Sequence, residues 1–503
     1  MNILKNITFT ILMSSAIVYS LNLNELKHMP KSVERDFYIW QYLKKSSTTK
    51  TEAIEASKLI DNLNSKLNRA FYKKSGYYLK KRVKRVSHII NSNRYTFLIS
   101  KLHKSGSFYE SWLKLSNHDK LALFSLAGKE NRRVLNRKIS KQLYNNLQRD
   151  KLINQVIFRA FRENLDNLKY VILNYPPTMN THITYNNLCK LGFKNLRVGK
   201  NILASKFFNI ARFKASSKFY SDRATFWAYM SSKNRKYLIS LANSHDFNIY
   251  RLIALDKLGK PYPRPNSAKL INKISPINIQ DPISWARLKQ KIFSNRYNLY
   301  QLALKYNSTV SQAYYFYILN KASKDTKHYF PMPYRDIISK YPIDRQALIY
   351  AIAKQESQFI PAAISRSFAV GMMQFMPFLV KHIAKVRRES VRLEDMFNPK
   401  IAIKFANTHL NYLNKYLYHP LFVAYAYNAG IGYTKRLIRK NIFKSGAYEP
   451  YISLERVDKQ ETNYYGKKVL ANYIIYKNLL GSPIRATTLL NRLDKPYLTD
   501  RFR

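Results

Sequence analysis

Long stretches of this chain repeat their apolar residues with the period of an α-helix, and almost none alternate with the period of a strand. Helices are therefore its dominant building material. Only 12 of the 503 residues are glycine, so the turn-rich architectures of sandwiches and barrels are disfavoured and the chain is expected to be all-α. At this length it can bury a sizeable core and should divide into about two or three domains.

From about residue 30 to 260 the pattern is a succession of short helices joined by polar turns. Trp227 lies in one, Tyr237, Leu238, Leu241 and Ala242 mark the next, and Tyr250, Ile253 and Leu258 a third. Gly259, Pro261, Pro263 and Pro265 stop the run. No exact internal repeat of fixed length is present, but stacked helix pairs curved into a superhelix, an α-solenoid, are the natural packing for residues 21–265. Trp285 to Ala322 contains a further helix pair split by Asn307-Ser308-Thr309, and Phe330-Pro331-Met332-Pro333 opens a last domain.

Residues 1–20 read as a cleavable secretory signal. Lys5 supplies the charge, Ile7 to Tyr19 the apolar run, and Val18 with Ser20 the cleavage pattern before Leu21. Export to the periplasm follows, with anchoring by an uncleaved signal as the alternative. The single cysteine, Cys189, leaves no intramolecular disulfide and no lipid-accepting cysteine after the signal.

Glu356 ends the apolar face of Ala351-Ile352-Ala353-Lys354-Gln355-Glu356, with Ile349 and Ile352 on nearly the same side. Desolvation there should raise its pKa and make it a general acid near neutral pH. Downstream, Pro361 ends the helix and Gly371 permits a backbone conformation or contact that a larger residue would block. Ser365 and Gln374 bring a hydroxyl and an amide suited to sugar hydroxyls and N-acetyl groups, while Met372, Met373 and Met376 suit core packing. Ser357 lacks a neighbouring base and is expected to orient Glu356 or cap the helix.

The run Glu356-Ser357, Pro361, Ser365, Ala369, Gly371, Met373-Gln374 and Met376-Pro377 resembles the soluble lytic murein transglycosylases, whose catalytic domain is lysozyme-like. Two more blocks follow in the family's order: Ala426-Tyr427-Asn428-Ala429-Gly430, and Glu461-Thr462 with Tyr465 and Val469-Leu470. The resemblance implies a helical linker at 266–328, a lysozyme-like transglycosylase domain at 329–485 and a tail at 486–503. It departs from the family at Phe368, where Gly is usual, at Met372, usually Leu, and at Asn463 and Gly466, usually Arg and Val. A bulky Phe368 is expected to alter the sugar groove.

What the resemblance implies is cleavage between N-acetylmuramic acid and N-acetylglucosamine without water. One Glu protonates the glycosidic oxygen, then takes the proton of the muramoyl 6-hydroxyl, leaving a 1,6-anhydromuramoyl end. No acidic residue lies between Glu356 and Glu389, which fits a one-acid mechanism in which a held intramolecular nucleophile replaces a second carboxylate. Glu356 is then catalytic. Ser365, Gln374, Tyr427 and Glu461 are expected to bind substrate, supported by Ser357, Gly371, Met373 and Asn428. For Glu461 a place at the positive end of its helix is the structural alternative.

Against 29 Asp and Glu stand 87 Lys and Arg, a formal charge of +58. Such a chain attracts polyanions; for an exported protein these are peptidoglycan glycan strands and, weakly, anionic envelope surfaces rather than nucleic acid. The ten histidines show no metal-ligand spacing, and His382, His409 and His419 are scattered, so neither metal nor other cofactor is expected. Two alternatives remain open: a hydrolytic muramidase on the same fold, and a basic helical binding scaffold whose terminal domain is inactive. The sequence is silent on oligomeric state.

Overall fold

The computed structural model describes residues 21–80, 92–104, 107–294 and 296–503, so the expected signal at 1–20 lies outside the described residues. Among the described residues the regular elements are all helices, and β-type pairing is confined to isolated bridges. The protein is all-α, as its periodicity predicts. No helix among the described residues is long and apolar enough to cross a membrane.

Two compact units are present, Val83–Tyr262 and, in two pieces, Met1–Arg82 with Pro263–Arg503. In the former, helices Tyr185–Arg197, Asn201–Phe213, Lys218–Ser232, Arg235–Ala242 and Ile249–Lys257 pack each against the next. Side chains of Asn234 and Asn248 cap the last two by accepting backbone N–H groups, and Gly259 follows the last in a left-handed conformation. Phe193 and Phe208 wrap Trp227 at ring-centroid distances of 4.9 and 6.2 Å, which buries the stack's apolar stripe.

The other unit holds the sequence blocks around Glu356. Its centre is helix Ile343–Ser357, in which every residue from Ala347 to Ala353 is buried. Helix Gln460–Leu479 packs along it, and helix Pro420–Ala429 packs on that one in turn. Tyr476 of the long helix stacks on Tyr350 at 5.2 Å and donates its hydroxyl to Pro331 O at 3.0 Å. The Phe330-Pro331 break is thereby stitched to the domain it opens.

Four N-terminal helices, Leu23–His28, Val33–Tyr42, Lys50–Lys58 and Ser65–Ser75, belong to this same unit and begin at the side-chain caps Asn22, Ser32, Thr49 and Asn64. Their contact with the Glu356 region explains Phe368. Its ring is 0% exposed and sits 5.7 Å from Phe37 and 5.4 Å from Trp40. The ring thus points into an aromatic core built with the N-terminal helices and does not itself stand exposed as a wall of a groove. Phe368 has φ +59, a conformation that suits the family's glycine and costs a bulky residue about 1–2 kcal/mol. Complete burial of the phenyl ring contributes about 2–3 kcal/mol, enough to hold it there.

Candidate active site

Three segments converge on Glu356. Helix Ile343–Ser357 delivers the carboxyl at its last turn and stops because Gln358 and Phe359 both adopt positive φ, +52 and +68. The long helix Gln460–Leu479 brings Tyr465, whose hydroxyl donates to Glu356 Oε1 at 2.7 Å. Helix Pro420–Ala429 ends on Tyr427 and Asn428, opposite the first turn of the long helix.

Glu356 is half-buried, and this desolvation pushes its pKa up to about 7. The Tyr465 hydrogen bond pulls the other way by favouring the carboxylate, and the charge of Glu461 raises it further. Burial wins, so near neutral pH the group carries a proton for a substantial share of the time. Tyr427 and Tyr465 are held protonated well above the usual phenol range, first by burial and then by the charge of Glu356. The three groups thus lie within electrostatic reach of one another, two phenols around one acid.

The turn after the helix forms the rest of the site. Ser357 Oγ donates to Met372 O at 2.8 Å and so ties the end of the acid's helix to it. Tyr427 donates to Met373 O at 2.8 Å, while the Met372 and Met373 side chains are buried as core residues. Gln374, at φ +51, spends its amide N–H groups on Ala363 O and Gly371 O at 3.1 and 2.8 Å, leaving its oxygen as the acceptor for a ligand. Ser365 Oγ accepts from Ala369 N at 3.0 Å and retains its own proton to donate. Gly371 has φ +78, and a Cβ there would lie 2.2 Å from Met396 O; the close backbone approach that its sequence position suggests is present.

Glu461 is exposed in the first turn of its helix and receives a long contact of 3.5 Å from Asn428 Nδ2. Asn428 is fixed in turn by Thr462, whose hydroxyl donates to its Oδ1 at 2.8 Å. All of the sequence-derived candidates therefore fall in this one region. Tyr465 was legible only as part of a block, although it stands one helical turn beyond Glu461 and must share its face. His409 gave no signal at all. It packs 5.5 Å from the Tyr427 ring, and burial, followed by the charge of His382, pushes its pKa down to about 4, so it is a neutral wall for that phenol. Among the described residues no group of three or more His, Cys, Asp or Glu side chains could hold a metal ion.

Residues 335–449 match the Transglycosylase SLT domain family. The chain is 29% identical over 162 residues to the soluble lytic murein transglycosylase of Salmonella typhimurium, covering 30% of this chain and 24% of that protein. To a putative soluble lytic murein transglycosylase of Haemophilus influenzae it is 34% identical over 148 residues, 28% of this chain and 24% of the other. It thus spans about a quarter of the length of the curated relatives it matches. Among solved structures, lytic transglycosylase Slt from Pseudomonas aeruginosa aligns with TM-score 0.45 at 16% identity, covering 91% of this chain and 83% of that one. The 70 kDa soluble lytic transglycosylase of Escherichia coli aligns with TM-score 0.41 at 14% identity, covering 93% and 84%.

Proposed function

We propose that this protein is an exported lytic transglycosylase that cleaves the N-acetylmuramic acid to N-acetylglucosamine bond of peptidoglycan in the periplasm without water. The observation that carries this reading is the raised pKa of Glu356, inside a transglycosylase domain and with a phenol donating to it. Protonated Glu356 gives its proton to the glycosidic oxygen as that bond breaks, and the N-acetylglucosamine leaves as a neutral alcohol. The resulting carboxylate, steadied by Tyr465, takes the proton of the muramoyl 6-hydroxyl while its oxygen bonds to the anomeric carbon. The acid is returned to its starting state and a 1,6-anhydro ring closes. Gln374, Ser365, Asn428 and Glu461 supply polar atoms for sugar hydroxyls and N-acetyl groups.

A hydrolytic muramidase is the second reading, favoured by one observation: the charge of Glu461 reaches Glu356. In that case Glu461 would activate a water. Product mass from digested murein separates the two, since an anhydro end is lighter by one water. Glu356→Gln should lower release from murein by at least about a thousandfold. Equal release by the variant and the wild type would remove both enzymatic readings and leave the binding scaffold.

A further inference from the structure

The turn from Ser365 to Gln374 holds three residues at positive φ and is braced both from within and from outside. Phe368 and Gln374 have φ of +59 and +51 and Gly371 of +78; Ser365 N to Ala369 O at 2.9 Å and Phe368 N to Ser365 O at 2.8 Å offset part of that strain from within, and further contacts come from outside. On the side of the acid these come from Ser357 and Tyr427, which hold Met372 O and Met373 O. On the opposite side they come from the N-terminal helices, about three hundred residues away in sequence. Asn64 Nδ2 donates to Arg366 O at 2.9 Å while its Oδ1 caps its own helix at Leu67 N. Lys66 Nζ donates to Ser367 O at 2.8 Å, and the Phe368 ring fills the aromatic cluster of Phe37 and Trp40.

We propose that helices Val33–Tyr42 and Ser65–Ser75 are part of the catalytic module, with Trp40 and Phe368 as positioning residues that hold the 365–374 turn in the shape that binds the glycan. This rests on the proposed function, because the turn carries Ser365 and Gln374. The coupling runs through touching groups, from Trp40 to Phe368 and from Phe368 N to Ser365 O at 2.8 Å, and so ends on the glycan side of the turn. The Phe368 ring is 0% exposed. It anchors the turn to helices that lie outside the matched segment 335–449.

The test uses the full chain with Trp40→Ala, Phe368→Gly and the conservative Phe368→Leu. Phe368→Gly relieves the backbone at φ +59, and Trp40→Ala leaves the turn's sequence untouched, so the two approach the contact from opposite sides. Amide hydrogen exchange across residues 365–374 should accelerate at least tenfold in both, with Phe368→Leu close to wild type. On murein, KM should rise severalfold with kcat largely kept and the alkaline limb of the pH profile unmoved, because the surroundings of Glu356 itself are unchanged. Wild-type exchange and wild-type KM in both variants would overturn the proposal, as would a lower kcat at unchanged KM and exchange, the mark of a smaller folded fraction. A wild-type protein that releases nothing from murein removes the proposed function and this role with it. Exchange still reports the docking separately in that case.

Discussion

An acid catalyst must hold its proton at the working pH and then give it up, and a carboxyl raised to about 7 meets both demands near neutrality. The sign of its pH dependence follows from the proton it must start with. Activity should hold below about 7 and fall as Glu356 ionises above it. The two neighbours act in opposite directions, which makes the assignment testable at single residues. Tyr465→Phe deletes a bond that favours the carboxylate, so the alkaline limb should move to higher pH, with the maximal rate lowered about tenfold through loss of a stabilising donor. Glu461→Gln deletes a like charge, so the limb should move to lower pH. Rate profiles from pH 4 to 9 (roughly, bracketing the raised group) read both shifts, and a limb unmoved in either variant would show that another group titrates. Glu356 was legible in the sequence because an acid ending an apolar face is out of place. Its partner was not, since a phenol in a chain with 40 tyrosines carries no mark of its own.

Helix packing decides whether these side chains meet. Gly466 lies where the long helix crosses helix Pro420–Ala429, and a Cβ there would sit 2.2 Å from Tyr425 Cε1 and 3.1 Å from Leu421 Cδ1. The family's usual Val is thus replaced by a Gly whose missing side chain is filled by the Tyr425 ring, itself 0% exposed. The other departure, Asn463, donates to Leu454 O at 2.6 Å and secures the end of the short helix Tyr451–Glu455. Close approach at Gly466 brings Thr462 to Asn428 and sets Tyr465 and Tyr427 around the same acid. Gly466→Ala gains about 1 kcal/mol of helix propensity but must displace a ring in a closed core, at a cost of about 1–3 kcal/mol or more. We expect overpacking to prevail and the urea midpoint to fall. A midpoint above wild type would mean that the two helices separate freely, with no fixed geometry for the site.

Charge acts on the whole molecule. Its 29 acidic residues offset only part of 87 Lys and Arg, which leaves a formal +58, and this surplus is presented to solvent and to any polyanion within reach. Glycan recognition through hydroxyls and N-acetyl groups is insensitive to salt, whereas this attraction is screened as the Debye length falls from about 14 Å to about 4 Å. Co-sedimentation of the Glu356→Gln protein with purified murein should therefore weaken at least tenfold between about 50 and 500 mM salt, through that screening. Binding that ignores salt would show that the lysines and arginines are solvated bystanders.

Sequence alone determined the all-α class, because helical period, helix stops and turn residues are written in neighbouring positions. Tertiary structure alone decided which faces meet. Tyr465 reaches Glu356 across 109 residues, and Asn64 reaches Arg366 across 302. It also set the Phe368 ring against the N-terminal helices. The physical reason is that desolvation and ring packing are sums over neighbours in space, and a one-dimensional pattern fixes only those a helical turn away.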